Sequence, residues 1–221
     1  MTRDRSSYVA PPSLKHGAWV AKILRPTRAV RTPGSSRHGV PVGTTIGGYH
    51  SQELMVLDDR TLPDGETWLR VRLPKRPNRA AGWIAESAVR LRHTGWWVRI
   101  RTGRRTVTVY RDGRPRLATR AVVGARATPT PRGLFAVMFT AKQRDRNGFL
   151  GPWALHLTAH SNVLENFGGG PGRIAIHGRG GESLRDPLGS ARSHGCIRVP
   201  NANVTRLARW LRPGTPVQIT K

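Results

Sequence analysis

Residues 193–199 read SHGCIRV, and this stretch decides how the rest of the chain is interpreted. It holds the only cysteine of the 221 residues, Cys196. His177 lies 19 residues earlier, at the end of an apolar run that reads IAI. A thiolate attacks carbonyl carbon, and a nearby imidazole can take the thiol proton and return it later. A lone cysteine with two histidines nearby therefore predicts a cysteine nucleophile at Cys196.

The neighbours of Cys196 have predicted roles of their own. His177 is the better general base because it ends a strand, where its ring can be held rigidly. His194 points to the same side as Cys196 if the segment is extended. Gly195 lets the backbone approach a substrate closely. The N–H groups of Gly195 and Cys196 are candidate oxyanion donors, each worth about 3 kcal/mol in enzymes where this was tested. Carboxylates are scarce nearby, so a backbone carbonyl is expected to orient His177.

The composition limits the classes of protein that fit. Lys and Arg number 38 against 12 Asp and Glu, a formal net charge of +26. Such a field indicates polyanionic surroundings, which include nucleic acid, anionic lipid and acidic wall polymers. One cysteine excludes an internal disulfide and a zinc site of several thiolates. Residues 168–172 and 178–181 are glycine-rich but match no nucleotide-binding pattern, so we expect neither a cofactor nor a metal.

Targeting signals are absent from the sequence as it stands. No run of 18 apolar residues occurs, so no membrane span is predicted. The amino terminus also lacks the apolar stretch of a secretory signal. An extracytoplasmic location, in the cell wall or periplasm, therefore requires that an export segment was removed or is missing.

The pattern of apolar residues predicts a mainly β protein in three parts. Residues 1–17 are polar and are expected to be a flexible lead-in. Residues 18–92 contain about five short strands separated by turns, which suggests a small barrel. Residues 93–221 are also β-rich, with a hairpin at residues 111–113 and one helix at about residues 203–211. In the first barrel, Trp68 and Trp83 are expected in the core.

Residues 66–91, with WLRV and then GWI, resemble bacterial Src-homology-3-like modules of cell-wall proteins. This resemblance implies a Src-homology-3-like barrel over residues 18–92, with a possible role in binding the wall.

The second part resembles the YkuD-type L,D-transpeptidases. The segment IHG at residues 176–178 and SHGCIR at residues 193–198 look like the signature of that family. Residues 128–133 (TPTPRG), 151–155 (GPWAL) and 211–219 look like other family segments. The resemblance covers roughly residues 95–220, and it implies a β-rich catalytic domain with few helices.

The resemblance also implies a mechanism. Cys196 would attack an L-centre amide of a peptidoglycan stem peptide and release D-Ala, and the acyl-thioester would pass to an amine of a neighbouring stem as a 3→3 cross-link. His177 maps onto the general base, and Ser193, His194 and Arg198 fall on active-site positions. Arg198 would hold the loop or a substrate carboxylate. Some relatives place Ser where Gly178 stands. Carbapenems are implied as acylating inhibitors.

Other readings stay open at this point. Water in place of the acceptor amine would make the protein an L,D-carboxypeptidase. A non-catalytic binder of anionic wall polymer or nucleic acid is a second class, although no recognisable nucleic-acid module is evident and none is expected as a partner. A metal site of His177, His194 and Cys196 lacks the usual paired spacing. His156 and His160 are interpreted as structural or lid residues.

Overall fold

The structure is a computed structural model that describes residues 9–35, 38–167 and 169–221. Strands dominate it, and within these residues there is a single α-helix. The mainly β prediction is confirmed. Two larger sheets organise the chain, and three pairs of short strands accompany them.

The first sheet is built from the amino-terminal strands and is antiparallel throughout. Its order is β8-β7-β6-β1-β9, while β2 pairs with β3 and β4 pairs with β5. A 3-10 turn at Glu86–Ala88 joins β8 to β9. The strands are β1 (Ala18–Ile23), β2 (Thr27–Ala29), β3 (Val40–Val42), β4 (Thr45–Ile46), β5 (His50–Ser51), β6 (Glu53–Thr61), β7 (Thr67–Arg72), β8 (Ala81–Ala85) and β9 (Val89–Thr94).

Alternation along β7 decides which side chains are buried. Leu69 and Val71 enter the core of the first sheet, so Trp68 must face the other way. Trp68 is half-buried and its Nε1–H donates to Glu66 Oε2 over 3.1 Å. The expectation of a core position is therefore wrong for Trp68, because the period-two pattern assigns it to the outer face. Trp83 is buried, and the Arg60 guanidinium lies 5.4 Å from its ring centre.

The predicted flexible lead-in, residues 1–17, lies partly outside the described residues. Residues 1–8 lie outside the described residues. Val9 is fully buried in the core of the first sheet, and its N–H donates to Asp59 Oδ1 over 3.1 Å. Ser13 and Gly17 exchange two backbone hydrogen bonds of 2.9 and 2.7 Å. From Val9 onward the segment is packed, because one apolar residue in a polar stretch reaches the core.

The second sheet has eight strands in the order β12-β11-β10-β19-β14-β15-β16-β18. Its pairs are antiparallel except β10 with β19 and β16 with β18, and a separate parallel pair joins β13 to β17. The strands are β10 (Trp96–Arg101), β11 (Thr106–Arg111), β12 (Arg114–Arg120), β13 (Val123–Gly124), β14 (Gly133–Lys142), β15 (Trp153–His160), β16 (Arg173–His177), β17 (Ala191–Ser193), β18 (Ile197–Arg198) and β19 (Pro216–Thr220).

Local sequence signals account for the connections of the second sheet. The predicted hairpin turn lies between β11 and β12, where Asp112 and Gly113 both have positive φ, of 52° and 74°. Helix α1 (Asn201–Trp210) overlaps the predicted helix within two residues at each end. It packs Val204 and Leu207, both fully buried, against the sheet. These outcomes follow from short-range turn chemistry and an amphipathic period.

The two sheets share an apolar seam. Ala18 and Met55 of the first sheet pack against Ala136 of β14. The Arg92 side chain bridges the same seam, with Glu53 at 2.6 Å and the Pro213 carbonyl at 2.5 Å. The two sheets are therefore in direct contact. Across the described part of the chain, none of the helices has the length and apolarity that a membrane crossing requires.

Candidate active site

The face of β15 and β16 that points away from the apolar core collects the chemistry-bearing side chains. Leu155, Leu157, Ile174 and Ile176 enter the core, so the alternate residues share the opposite face. The strand register sets His160 opposite Arg173, His156 opposite Ala175, and Ala154 opposite His177. We call this surface the histidine face, defined by His156, His160, Arg173 and His177.

Cys196 lies at the edge of the histidine face. The parallel pairing of β16 with β18 places Ile197 beside Ile176 and so brings Cys196 next to β16. The Cys196 sulfur accepts the Ala175 N–H over 3.4 Å and lies 4.0 Å from the Arg173 carbonyl oxygen. The residue is half-buried. The thiol is thus anchored to the strand that ends in His177.

A hydrogen-bonded loop holds the thiol in place. The buried Ser193 Oγ accepts the Gly195 N–H over 3.1 Å and donates to the Cys196 carbonyl over 2.6 Å. Hydroxyl groups of Thr128 and Thr130 donate to the carbonyls of Ser193 and Gly195 over 3.1 and 2.9 Å. Two of the loop carbonyls are therefore held from a second segment, and the Ser193 hydroxyl holds the loop from within.

Gly195 fits this loop because of its conformation. Its φ is +112°, which favours glycine, and a Cβ there would lie 2.9 Å from Ile174 Cδ1. Its N–H is already bonded to Ser193, so it does not serve as the free oxyanion donor expected from the sequence. The N–H of Cys196 donates no hydrogen bond to any residue that the structure describes. The available donor is thus Cys196 itself.

His177 is buried, with 1% of its surface exposed. Its Nδ1 lies 2.8 Å from the Gly178 carbonyl oxygen, an acceptor, so Nδ1–H donates and Nε2 is left as the basic nitrogen. Burial lowers the pKa of His177 to about 4, and Arg198 and His156 add to this. The Gly178 and Leu150 carbonyls oppose the shift. The ring is oriented by a backbone carbonyl and is neutral at pH 7.

The thiol is neutral as well in this state. Burial raises the pKa of Cys196, while the Ala175 N–H and Arg198 pull it down. Among the described residues, no hydrogen bond joins the thiol to the His177 ring. The free protein therefore holds a thiol and an imidazole rather than a thiolate–imidazolium pair.

Arg198 and His194 occupy different environments. Arg198 is 4% exposed, and its Nη1 lies 2.5 Å from Asp186 Oδ2. Its guanidinium also sits 4.8 Å from the centre of the Phe149 ring. His194 is exposed, and its ring centre is 5.1 Å from that of Phe167. Arg198 holds a loop within the fold, whereas His194 faces outward beside Phe167.

From the sequence, His156 and His160 were interpreted as structural or lid residues, and Arg173 was given no role. His156 stacks on Phe139 at 4.4 Å, and Phe139 stacks on His50 of β5 at 4.6 Å. Burial first, then Arg173, lowers the pKa values of His156 and His160 to about 4. The four-residue spacing of these histidines on one strand places them on the same face, which is the signal that the sequence offered. Only the register of β15 against β16 shows that they surround Arg173.

Two residues of the β7–β8 loop reach the second sheet. Arg76 donates to the carbonyls of Ser161 and Leu164 over 2.6 and 3.0 Å. The Asn78 side chain bonds both the N–H and the carbonyl of His160, over 2.8 and 2.7 Å. These residues hold the connection between β15 and β16, which carries Phe167. The first sheet thus contributes to the surroundings of Cys196.

No group of three or more His, Cys, Asp or Glu side chains in the described ranges is arranged to hold a metal ion. The chemistry that this arrangement permits is nucleophilic attack by the thiol, with an imidazole to move protons at the end of the strand that the thiol contacts.

Residues 95–219 match the family model YkuD, described as the L,D-transpeptidase catalytic domain. The chain belongs to this L,D-transpeptidase family. The match covers the second sheet, helix α1, the histidine face and Cys196. An acyltransferase assignment for the enzyme therefore rests on more than half of the chain.

Solved structures share the fold. An L,D-transpeptidase from Mycobacterium tuberculosis H37Rv is 16% identical, with 91% of this chain and 98% of that chain covered and a TM-score of 0.50. L,D-transpeptidase 3 from Mycobacterium tuberculosis, in complex with a faropenem-derived adduct, is 15% identical with the same coverage and TM-score.

An Enterococcus faecium catalytic domain, acylated by ertapenem, is 22% identical, with 58% of this chain and 98% of that chain covered and a TM-score of 0.42. The search of curated proteins returns no match.

Proposed function

We propose that the protein is a peptidoglycan L,D-transpeptidase in which Cys196 is the nucleophile. The observation that carries this proposal is the anchoring of the Cys196 thiol on β16, the strand that ends in the buried His177. Membership of the L,D-transpeptidase family supplies the substrate class, stem peptides of the wall.

The first half of the reaction forms a thioester. Substrate binding brings the thiol against His177 Nε2, which takes the proton as the sulfur attacks the L-centre carbonyl before the terminal D-Ala. The Cys196 N–H donates to the oxyanion of the tetrahedral intermediate. Collapse breaks the amide bond, and D-Ala leaves with the proton from His177. The acyl group stays on sulfur.

The second half restores the enzyme. The side-chain amine of a diaminopimelate-type residue on a neighbouring stem attacks the thioester and gives a proton to His177. The thiolate leaves, takes up that proton, and a 3→3 cross-link results. One amide replaces another, so no ATP is consumed. Water in place of the amine would give the tripeptide of a carboxypeptidase instead.

The remaining site residues support these steps. Ser193 and Gly195 shape the loop, and Arg198 holds it through Asp186. His194 stands at the outer rim with Phe167, where it can meet substrate.

The first sheet is proposed to form a Src-homology-3-like module that binds the wall, with the positive surface attracting anionic wall polymers. The first module would then span residues 18–92 and the catalytic domain residues 93–221. The site of action is proposed to be extracytoplasmic, where peptidoglycan lies.

The decisive test is intact-mass spectrometry of the full chain after incubation with ertapenem and, separately, with a disaccharide tetrapeptide. We expect one ertapenem adduct, and a cross-linked dimer that has lost one D-Ala. Cys196→Ala should show neither product. The matched control Arg206→Gln, an exposed change on α1, should behave as the wild type.

Two outcomes would change the assignment. Tripeptide without dimer would assign carboxypeptidase activity. Absence of any adduct and product, under conditions where iodoacetamide still alkylates Cys196, would exclude catalysis by this thiol.

A further inference from the structure

The centre of the histidine face is the Arg173 guanidinium, which is in none of the ion pairs that the structure describes. Arg173 is half-buried on β16, and its Nη1 donates to the Leu157 carbonyl over 3.3 Å. The register between β15 and β16 shifts between His156 and His160, so this carbonyl lies where the ladder is interrupted. The Arg173 guanidinium therefore lies at the interruption, between two histidine positions.

The one charged neighbour that acts measurably on this guanidinium within the described residues is another arginine. Arg76 is close enough to lower the pKa of Arg173 further, after burial. None of the four ion pairs found among the described residues includes Arg173 or Arg76. Glu165, the one carboxylate of the β15–β16 connection, is exposed and is in none of these ion pairs. Within the described residues, no ion pair compensates this positive charge.

The neighbouring His160 is buried beside the same two arginines. It is 3% exposed, and its Nδ1 has no hydrogen-bond partner among the described atoms. Burial, followed by Arg173 and Arg76, lowers its pKa to about 4. The His160 ring is therefore neutral at pH 7, and it does not offset the positive charge of Arg173.

The position of Arg173 relative to the thiol is the second part of the argument. Its own carbonyl oxygen lies 4.0 Å from the Cys196 sulfur, and its side chain shares a strand face with His177. A half-buried guanidinium forms strong, directional hydrogen bonds to a carboxylate, and removal from water strengthens them. A substrate bound at the sulfur would therefore lie against the strand that carries this charge.

We propose that Arg173 binds a carboxylate of the donor stem peptide and so selects the peptide that Cys196 attacks. This inference rests on the proposed function, and it names the anionic group that the site recognises. Arg76, whose donors go to backbone carbonyls, keeps the connection in place and adds positive field. Arg173 is thus a substrate-binding residue, and Arg76 a positioning residue.

The test compares each carboxylate of the stem with its neutral amide. Four disaccharide tetrapeptides are used with the full chain: one with every carboxylate free, and three with an amide at the terminal D-Ala, at the D-Glu α-position or at the diaminopimelate side-chain position. Release of D-Ala or D-alaninamide gives kcat and KM for each. At one position we expect the free acid to be preferred roughly ten- to hundred-fold in kcat/KM.

Variants then assign that preference to a residue. Arg173→Gln should abolish it, mainly through KM, while Arg173→Lys should retain part of it. Arg206→Gln, which changes an exposed arginine on α1, should leave it intact. Ertapenem acylation, which reports the thiol independently, should remain measurable in every variant.

The outcomes separate the two proposals. Wild-type protein without acylation or turnover would overturn the proposed function. Wild-type turnover without preference at any of the three positions would overturn the subsite alone. So would the same preference in Arg173→Gln as in the wild type.

Discussion

The two sheets differ in the side chains that they bury. Buried polar residues in the strands of the first sheet are few, namely Asp59, Arg72 and Thr94, and Gln52 lies just outside them. The second sheet and its loops bury a larger set with two histidines: Thr130, Thr158, His160, Ser161, His177, Ser183, Ser193, Arg198 and Thr215. Burying a polar group costs free energy unless it is hydrogen-bonded. Most of these groups are hydrogen-bonded, and within this set only His160 Nδ1 and Arg198 Nε lack a partner among the described atoms.

The amino-terminal region also contacts the second sheet near the histidine face. Arg76 and Asn78 bond to the connection above the histidine face, and β5 stacks His50 on Phe139. A wall-binding module on a flexible tether would have no need of these contacts. The first sheet therefore supports the second in addition to any binding of its own.

The largest effect is expected for His177→Gln in the second sheet. Removing the proton acceptor should lower kcat/KM for D-Ala release by roughly 10²- to 10⁴-fold. The measurement is steady-state turnover of the tetrapeptide. His16→Gln, at an exposed histidine of the amino-terminal segment, should change turnover less than two-fold, roughly. Equal activity of the two variants would assign the proton transfer to another group.

A second test concerns stability in the same sheet. Asp186→Asn leaves the nearly buried Arg198 without its charge partner, which should lower the free energy of unfolding by about 3 kcal/mol. Urea unfolding measures this. Glu182→Gln removes the partner of the exposed Arg185 and should cost under about 1 kcal/mol. Similar losses in both variants would contradict a special role for the buried pair.

A third test concerns the hydrogen bonds that link the β7–β8 loop to the second sheet. Arg76→Ala removes the hydrogen bonds to Ser161 and Leu164, so the connection that carries Phe167 loses its support. We expect kcat/KM for the tetrapeptide to fall about ten-fold. Lys75→Ala, at the exposed neighbouring position, is the control and should be near wild type. If both variants turn over alike, the first sheet does not position the site.

A fourth test concerns the pH dependence of stability, to which three histidines contribute. His156, His160 and His177 have folded-state pKa values lowered to about 4, so the unfolded chain binds more protons between that pH and about 6.5. Stability is then complete above pH 6.5 and falls as the pH drops toward 4, by up to about 1.4 kcal/mol per pH unit for each histidine.

Thermal unfolding at several pH values measures this slope. His156→Phe keeps an aromatic ring beside Phe139 and removes one titrating group, so its slope should be shallower. An unchanged slope in that variant would show that His156 does not contribute.

Short-range patterns predicted much of the fold. Period-two alternation located the strands, and the spacing of Val204 and Leu207 located α1. Trp68 was misassigned although the alternation along β7 places it on the outer face, and Val9 was misassigned because its docking depends on the elements packed against it. At the site, the sequence neighbours of Cys196 and His177 were enough to predict them as candidates, and their roles stay predictions. The sequence could not show that the Gly195 N–H donates to Ser193 and is therefore not free to bind an oxyanion, because this bond depends on the loop conformation.

The amino-acid sequence alone determined the residues available for chemistry: one thiol, a histidine at a strand end, and a glycine that permits the tight loop between them. Tertiary structure decided where the charges lie. Arg173 meets His160 and Arg76 only because β15, β16 and the β7–β8 loop converge there, across separations of 13 to 97 residues. Burial and charge–charge interactions depend on distance in space, which the order of residues does not contain.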